Sequence, residues 1–237
     1  MKKIKRLHDK LYLKENRYNK PKESFKEILK IIKKQKNLKN KNIEYLDVGC
    51  ASGELIYFIS KNLKNIRITG LDVMIDLLKK AKKYNPQSSF FQKNINSKKF
   101  IFKKKYDLIT MTGVLSIFDN FETSLNNLKK MMNTNSILII HGHFNPYPYD
   151  VLVKYTEKGK RNILQSGWNI FSISSLKKYC KDKKLSISVV PFLIKKHLFQ
   201  NKKDLIRTWT IKYKNRNYFT NGLNLFLSKY FLIIKKK

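Results

Sequence analysis

From residue 43 onward, short apolar runs of strand length alternate with segments whose apolar residues recur at helical spacing. Ile43–Val48, Ile66–Leu71, Ser89–Gln92, Tyr106–Met111 and Ser136–Ile140 read as strands. Leu55, Phe58, Ile59 and Leu63 form one helix face, Ile75–Tyr84 a second helix, and Phe121, Leu125, Leu128 and Met132 a third. Strands separated by helices cannot pair as hairpins; they pair in parallel through crossovers. The chain is therefore predicted to be an α/β protein with a mostly parallel sheet and helices on both faces.

The 237 residues suit one domain with insertions. Residues 1–42 read as an N-terminal helical cap, with Phe25, Ile28, Leu29 and Ile32 on one face and Ser24 as the N-cap. Residues 43–142 form the predicted core. Beyond His141 the pattern loosens, and residues 144–170 and 192–222 read as insertions on the side where a substrate enters. Between and after them, Ser172–Lys181 reads as a helix, Leu185–Pro191 as a strand and Leu225–Ile234 as the closing strand.

The formal charge of +36 invites a nucleic-acid partner. Six of the 52 basic residues are Arg and the rest Lys, spread from end to end. Readers of phosphate and base edges lean on the planar Arg fork, so the charge is read as compositional and nucleic acid is not the favoured partner. No apolar run approaches the roughly 20 residues of a membrane span. The basic N-terminus has no apolar stretch behind it, and two cysteines give neither a disulfide framework nor a metal spacing. A cytoplasmic location is the expectation.

The first strand runs directly into Asp47-Val48-Gly49-Cys50-Ala51-Ser52-Gly53, and a helix follows. Glycines at such a turn let backbone approach a ligand at the carboxyl ends of the strands. Asp72 follows Gly53 by nineteen residues and ends the second strand, where a carboxylate can accept both hydroxyls of a ribose. The dinucleotide fingerprint requires a third glycine at position 54, which is Glu54. Asp47, Glu54 and Asp72 would repel a pyrophosphate and attract a cationic nucleoside.

Leu46–Gly53 resembles the first motif of the class I S-adenosylmethionine-dependent methyltransferases, and Leu71-Asp72-Val73 their second-strand acid. Asn94-Ile95 falls where that family contacts the adenine amino group. Tyr106-Asp107-Leu108-Ile109 is similar to the fourth-strand motif, with Thr112-Gly113-Val114-Leu115 lining the donor pocket. The resemblance covers residues 43–142. It implies a Rossmann-like, seven-stranded sheet, S-adenosyl-L-methionine as cofactor, and donor contacts from Asp47, Gly49, Ala51, Gly53, Asp72, Val73, Asn94, Ile95 and Thr112. Ala51 replaces the family's middle glycine, and Asn94 its commoner acid.

Methyl transfer from a sulfonium is an in-line displacement that needs alignment and a base for the acceptor's proton. His141 and His143 lie on one side of the fifth strand's end and are the candidate bases, His143 preferred because it stands further out. The alternative is a structural imidazole bonded to a loop. With only Asp150 nearby they make a thin ligand set, and no metal is expected. Asn145-Pro146-Tyr147-Pro148 is similar to a motif of amino-methylating nucleic-acid enzymes, but that motif follows the fourth strand, not the fifth; here the prolines are read as stiffening a loop. Phe144, Tyr147, Tyr149, Tyr155, Trp168, Trp209 and Arg207 either wall a small-molecule pocket or pack beneath long loops. The expected partner is a small-molecule acceptor, a sugar or metabolite oxygen; an RNA acceptor and a non-catalytic donor-binding subunit are the alternatives.

Overall fold

A computed structural model of the protein describes residues 12–39, 41–159 and 163–236. In chain order the elements are α1 (Glu23–Lys33), β1 (Ile43–Val48), α2 (Glu54–Asn62), β2 (Ile66–Asp72), α3 (Ile75–Tyr84), β3 (Ser89–Gln92), β4 (Tyr106–Thr112), α4 (Glu122–Lys130) and β5 (Met132–Asn145). They continue with β6 (Lys154–Tyr155), β7 (Gln165–Ser166), β8 (Phe171–Ser172), α5 (Ile173–Asp182), β9 (Leu185–Pro191), β10 (Trp209–Tyr213), β11 (Arg216–Thr220) and β12 (Lys229–Lys236).

Seven strands form the main sheet in the order β3-β2-β1-β4-β5-β12-β9, and the two-residue β8 pairs β5 as an eighth. The first five strands are parallel to one another. β12 runs antiparallel to both β5 and β9. The strand order reverses at β1 and β4, so a crevice opens at their carboxyl ends.

Because side chains alternate along each strand, the sheet has two apolar faces. Tyr45, Leu108, Ile137, Ile139 and Phe231 point to one face and pack with Phe25, Ile28 and Ile32 of α1 and Leu55, Ile56 and Ile59 of α2. Leu46, Ile109, Leu138, Ile140 and Leu232 point to the other and meet Leu125 and Leu128 of α4 and Leu176 of α5. Burying each such side chain contributes about 1.5–3 kcal/mol, so both faces hold the sheet rigid beneath the crevice.

Several expectations are corrected. The fifth strand does not end at Ile140; it runs fourteen residues to Asn145, because β12 supplies an antiparallel ladder from Ile137 through His143 and β8 pairs with Phe144 and Asn145. β12 starts at Lys229 rather than Leu225. α4 stops at Lys130, and Met132 opens β5 instead of continuing the helix face. α1 begins at Glu23, with Lys22 at the N-cap position, and Ser24 is buried inside the first turn. Both insertions contain strands. Residues 144–170 hold the short β6–β7 ladder, and 192–222 hold the β10–β11 hairpin.

Candidate active site

The turn after β1 takes its shape from left-handed backbone at Gly49, Ala51 and Gly53, with φ of 70°, 47° and 77°. A Cβ on Gly49 would lie 2.2 Å from Val114 Cγ2. Gly53 is the N-cap of α2, and a Cβ there would lie 2.8 Å from Asn85 Nδ2. Ala51 holds a conformation that costs an L-residue about 1–2 kcal/mol. The compensation is visible: the Ala51 amide donates to Asp72 Oδ2 at 2.9 Å, while Asp72 Oδ1 accepts from the Met74 amide at 2.9 Å. The Gly49 and Cys50 amides donate to the Leu71 carbonyl. Asp72 thus fixes the glycine loop against β2. A carboxylate oxygen accepts more than one hydrogen bond, so it retains capacity for a ribose.

Asp47 lies beneath the loop, buried at 3% exposure. Thr110 Oγ1 donates to it at 2.6 Å and is itself 2.7 Å from Tyr45 OH. Burial pushes the Asp47 carboxyl up to about 7, Asp72 adds to the rise, and the Thr110 bond opposes it. Val73 is exposed beside Asp72. Asn94 is exposed and its Oδ1 accepts from the Asn96 amide; Ile95 is buried and its carbonyl accepts from Asn127. Thr112 ends β4, its hydroxyl buried without a hydrogen-bond partner. A Cβ on Gly113 would meet nothing within 4 Å. Asp47, Asp72 and Thr112 thus lie at the carboxyl ends of β1, β2 and β4, and Asn94 and Ile95 follow β3. The buried unsatisfied hydroxyl, the open space at Gly113 and the two carboxylates fit a cationic nucleoside ligand.

Glu54 does not join this group. Its Oε1 accepts from the Arg17 amide at 2.8 Å, and burial raises its carboxyl. The segment before α1 crosses here: Tyr18 OH donates to the Ser52 carbonyl, and its ring stacks on Tyr84 at 4.0 Å. Lys80 Nζ donates to the carbonyls of Leu13 and Glu15, and Arg207 pairs with Glu15. Nothing in the spacing of residues 12–22 announces this role.

On the acceptor side, His141 is level with Thr112 across the β4–β5 ladder, and His143 stands one pleat beyond. Both are buried at 7% exposure. Neither lies past the strand end, since both are within β5. His141 stacks on Phe231 at 4.6 Å and meets Phe192 edge-on at 5.2 Å. The His143 ring is 5.7 Å from Trp168. Burial first, and then the charge of Lys229, hold both imidazoles well below the usual histidine range, so both are neutral at pH 7.

Of the aromatic set, Phe144 points to the opposite face and is core, while Tyr147 and Tyr149 are exposed. Asn145 accepts from the Tyr147 amide and donates to the Tyr149 carbonyl, which makes its tetrapeptide a turn. Asn169, fully buried, ties the first insertion to the chain after β4 through Val153, Phe118 and Asp119. Cys50 and Cys180 are buried, and burial raises both thiols. Among the described residues, no group of three or more His, Cys, Asp or Glu is placed to hold a metal, and no helix is long and apolar enough to cross a membrane.

Residues 46–138 match the family model described as a methyltransferase domain. A putative methyltransferase of Invertebrate iridescent virus 6 is 29% identical over 99 residues, which are 42% of this chain and 37% of that protein. The malonyl-[acyl-carrier protein] O-methyltransferase of Priestia megaterium is 22% identical over 164 residues, 68% of this chain and 60% of that one. The chain thus spans less than two thirds of either relative. The fold matches a crystal structure of an S-adenosylmethionine-dependent methyltransferase from Clostridium acetobutylicum with TM-score 0.61 and 14% identity, over 97% of this chain and 96% of that one.

Proposed function

We propose that this chain is a class I S-adenosylmethionine-dependent methyltransferase that transfers a methyl group to an oxygen of a small-molecule acceptor, a sugar or metabolite; its fold and the sequence of residues 46–138 support the reading. The observation that carries the reading is Asp72 bracing the Gly49–Gly53 turn beside the carboxyl ends of β1 and β2. When bound, S-adenosyl-L-methionine supplies an electrophilic methyl group on a sulfonium.

Asp72 accepts from the ribose hydroxyls. Gly49, Ala51 and Gly53 allow close backbone approach, and Asp47 supplies negative charge under the cationic end. Val73, Asn94 and Ile95 flank the base, and Thr112 lines the floor. His143, with His141 behind it, takes the acceptor's proton. A neutral imidazole is the form that can do so.

RNA as acceptor is the second reading. The exposed lysines argue against it: they lie on α1 and α3 against one sheet face, on α5 against the other, and on the β10–β11 hairpin. A nucleic-acid surface concentrates cations on one side. The test is a donor-turnover screen with pooled hydroxylated metabolites, nucleotide sugars and RNA. Turnover with a metabolite pool is expected. Turnover with RNA alone overturns the acceptor assignment, and a protein that binds donor but turns over with no pool points to a non-catalytic subunit.

A further inference from the structure

Lys229 opens β12 directly opposite His143, and Phe231, two residues on, lies opposite His141. Directly paired residues of an antiparallel ladder share a face, so Lys229, His143 and His141 stand together at the top of the sheet. Lys229 is only partly exposed. Its ammonium lies 4.3 Å from the centroid of the Phe219 ring and forms no ion pair among the described residues. Lys22 is close enough for its charge to act on both Lys229 and His141. His141 Nε2 and His143 Nδ1 are buried without a hydrogen-bond partner.

A compositional excess of lysine fills exposed positions, where a solvated ammonium costs nothing. It does not account for a cation set against the Phe219 ring beside two neutral imidazoles, within reach of the charge of Lys22, which itself pairs with Glu15 at 4.0 Å. Such a cluster is unfavourable by itself and becomes favourable when an anion enters. We infer that Lys229, together with His143 and His141, forms an anion subsite that holds a carboxylate or phosphate group of the acceptor beside the reacting oxygen. Phe192, Phe219 and Trp168 supply apolar walls around it. The inference rests on the methyltransferase reading and narrows its acceptor to acidic small molecules.

Burial, with Lys22 adding to it, lowers the Lys229 ammonium to about 7. His143 and His141 from β5 stand beside it, and the charge that acts on it is that of Lys22, from the segment before α1, which is paired with Glu15. At pH 8 the amine is therefore mostly neutral, and an entering anion draws a proton onto it.

The test uses the full-length protein loaded with S-adenosylhomocysteine and titrated at pH 8 with benzoate, phenyl phosphate and benzamide. Benzoate or phenyl phosphate is expected to bind at least ten-fold more tightly than benzamide, with net proton uptake read from titrations in buffers of different ionisation enthalpy. Which of the two binds more tightly distinguishes a carboxylate from a phosphate acceptor. Lys229→Met keeps the stem against Phe219 and should abolish both the preference and the proton uptake, while S-adenosylhomocysteine affinity stays the same. Equal binding of benzamide, no binding by either anion, or an unchanged preference in Lys229→Met overturns the inference. Failure of the wild-type protein to bind S-adenosylhomocysteine is a separate result and overturns the methyltransferase reading itself.

Discussion

The buried Asp47 carboxylate and the Asp72 carboxylate stand on neighbouring strands on either side of one turn, and the two have opposite jobs. Asp72 is held by two backbone amides and remains partly exposed. Asp47 has one hydroxyl donor and is raised to about 7 by burial. One acid shapes the loop, and the other stores a charge that a cationic ligand would relieve.

Replacing Asp72 tests the loop. Asp72→Ala removes a charged acceptor worth about 1.5–3 kcal/mol, and donor affinity should fall roughly 10- to 100-fold by calorimetry. The melting temperature should fall too, because the Ala51 and Met74 amides lose their acceptor. Unchanged affinity in a folded Asp72→Ala protein would remove the donor site from this turn.

Two substitutions in the same turn should act in opposite directions. Ala51→Gly relieves left-handed backbone and should stabilise the protein by about 1 kcal/mol, with donor affinity retained. Gly49→Ala drives a methyl group into Val114 and should weaken donor binding and lower the melting temperature. Denaturant titration of both variants checks this; a destabilised Ala51→Gly protein would contradict the strain argument.

Asp47 gives the apo protein a specific pH signature. Its carboxyl titrates near 7 when folded and near 4 when unfolded. Between these values the folded state binds more protons, so this residue's contribution to stability falls as pH rises from about 4 to 7. Asp47→Asn should remove that slope and stabilise the apo protein at neutral pH, while weakening donor binding. Denaturation midpoints measured across the window decide it, and identical slopes in the two proteins would place Asp47 in solvent.

His143→Ala should lower turnover on the true acceptor by about 10²–10⁴-fold with donor affinity unchanged. Because burial and Lys229 hold the imidazole well below its ordinary range, the parent's rate should decline only at pH values below that range. Near-normal turnover in His143→Ala would assign the ring a packing role.

The central sheet was legible because its signals are local. Ile43–Val48, Ile75–Tyr84, Ser89–Gln92 and Leu185–Pro191 have the bounds their periodicity indicates. The length of β5 was not legible. Residues 141–145 carry His, Gly and Asn, poor strand formers that become strand because β12, nearly ninety residues later in the chain, pairs with them as far as His143 and β8 pairs with Phe144 and Asn145. Ser24 misled for a related reason: the side chain is of capping type, yet it is buried in the first turn.

The sequence by itself determined the parallel α/β core and the position of the glycine turn and Asp72, since both follow from residue types at short spacing. Only the tertiary structure placed Lys229 and Phe231 against the two histidines, Tyr18 against the turn, and Glu54 away from it. These pairings join residues far apart in the chain. Their cause is which strand edge and which sheet face remained open for the last strand and the N-terminal segment to cover, and no local pattern encodes that.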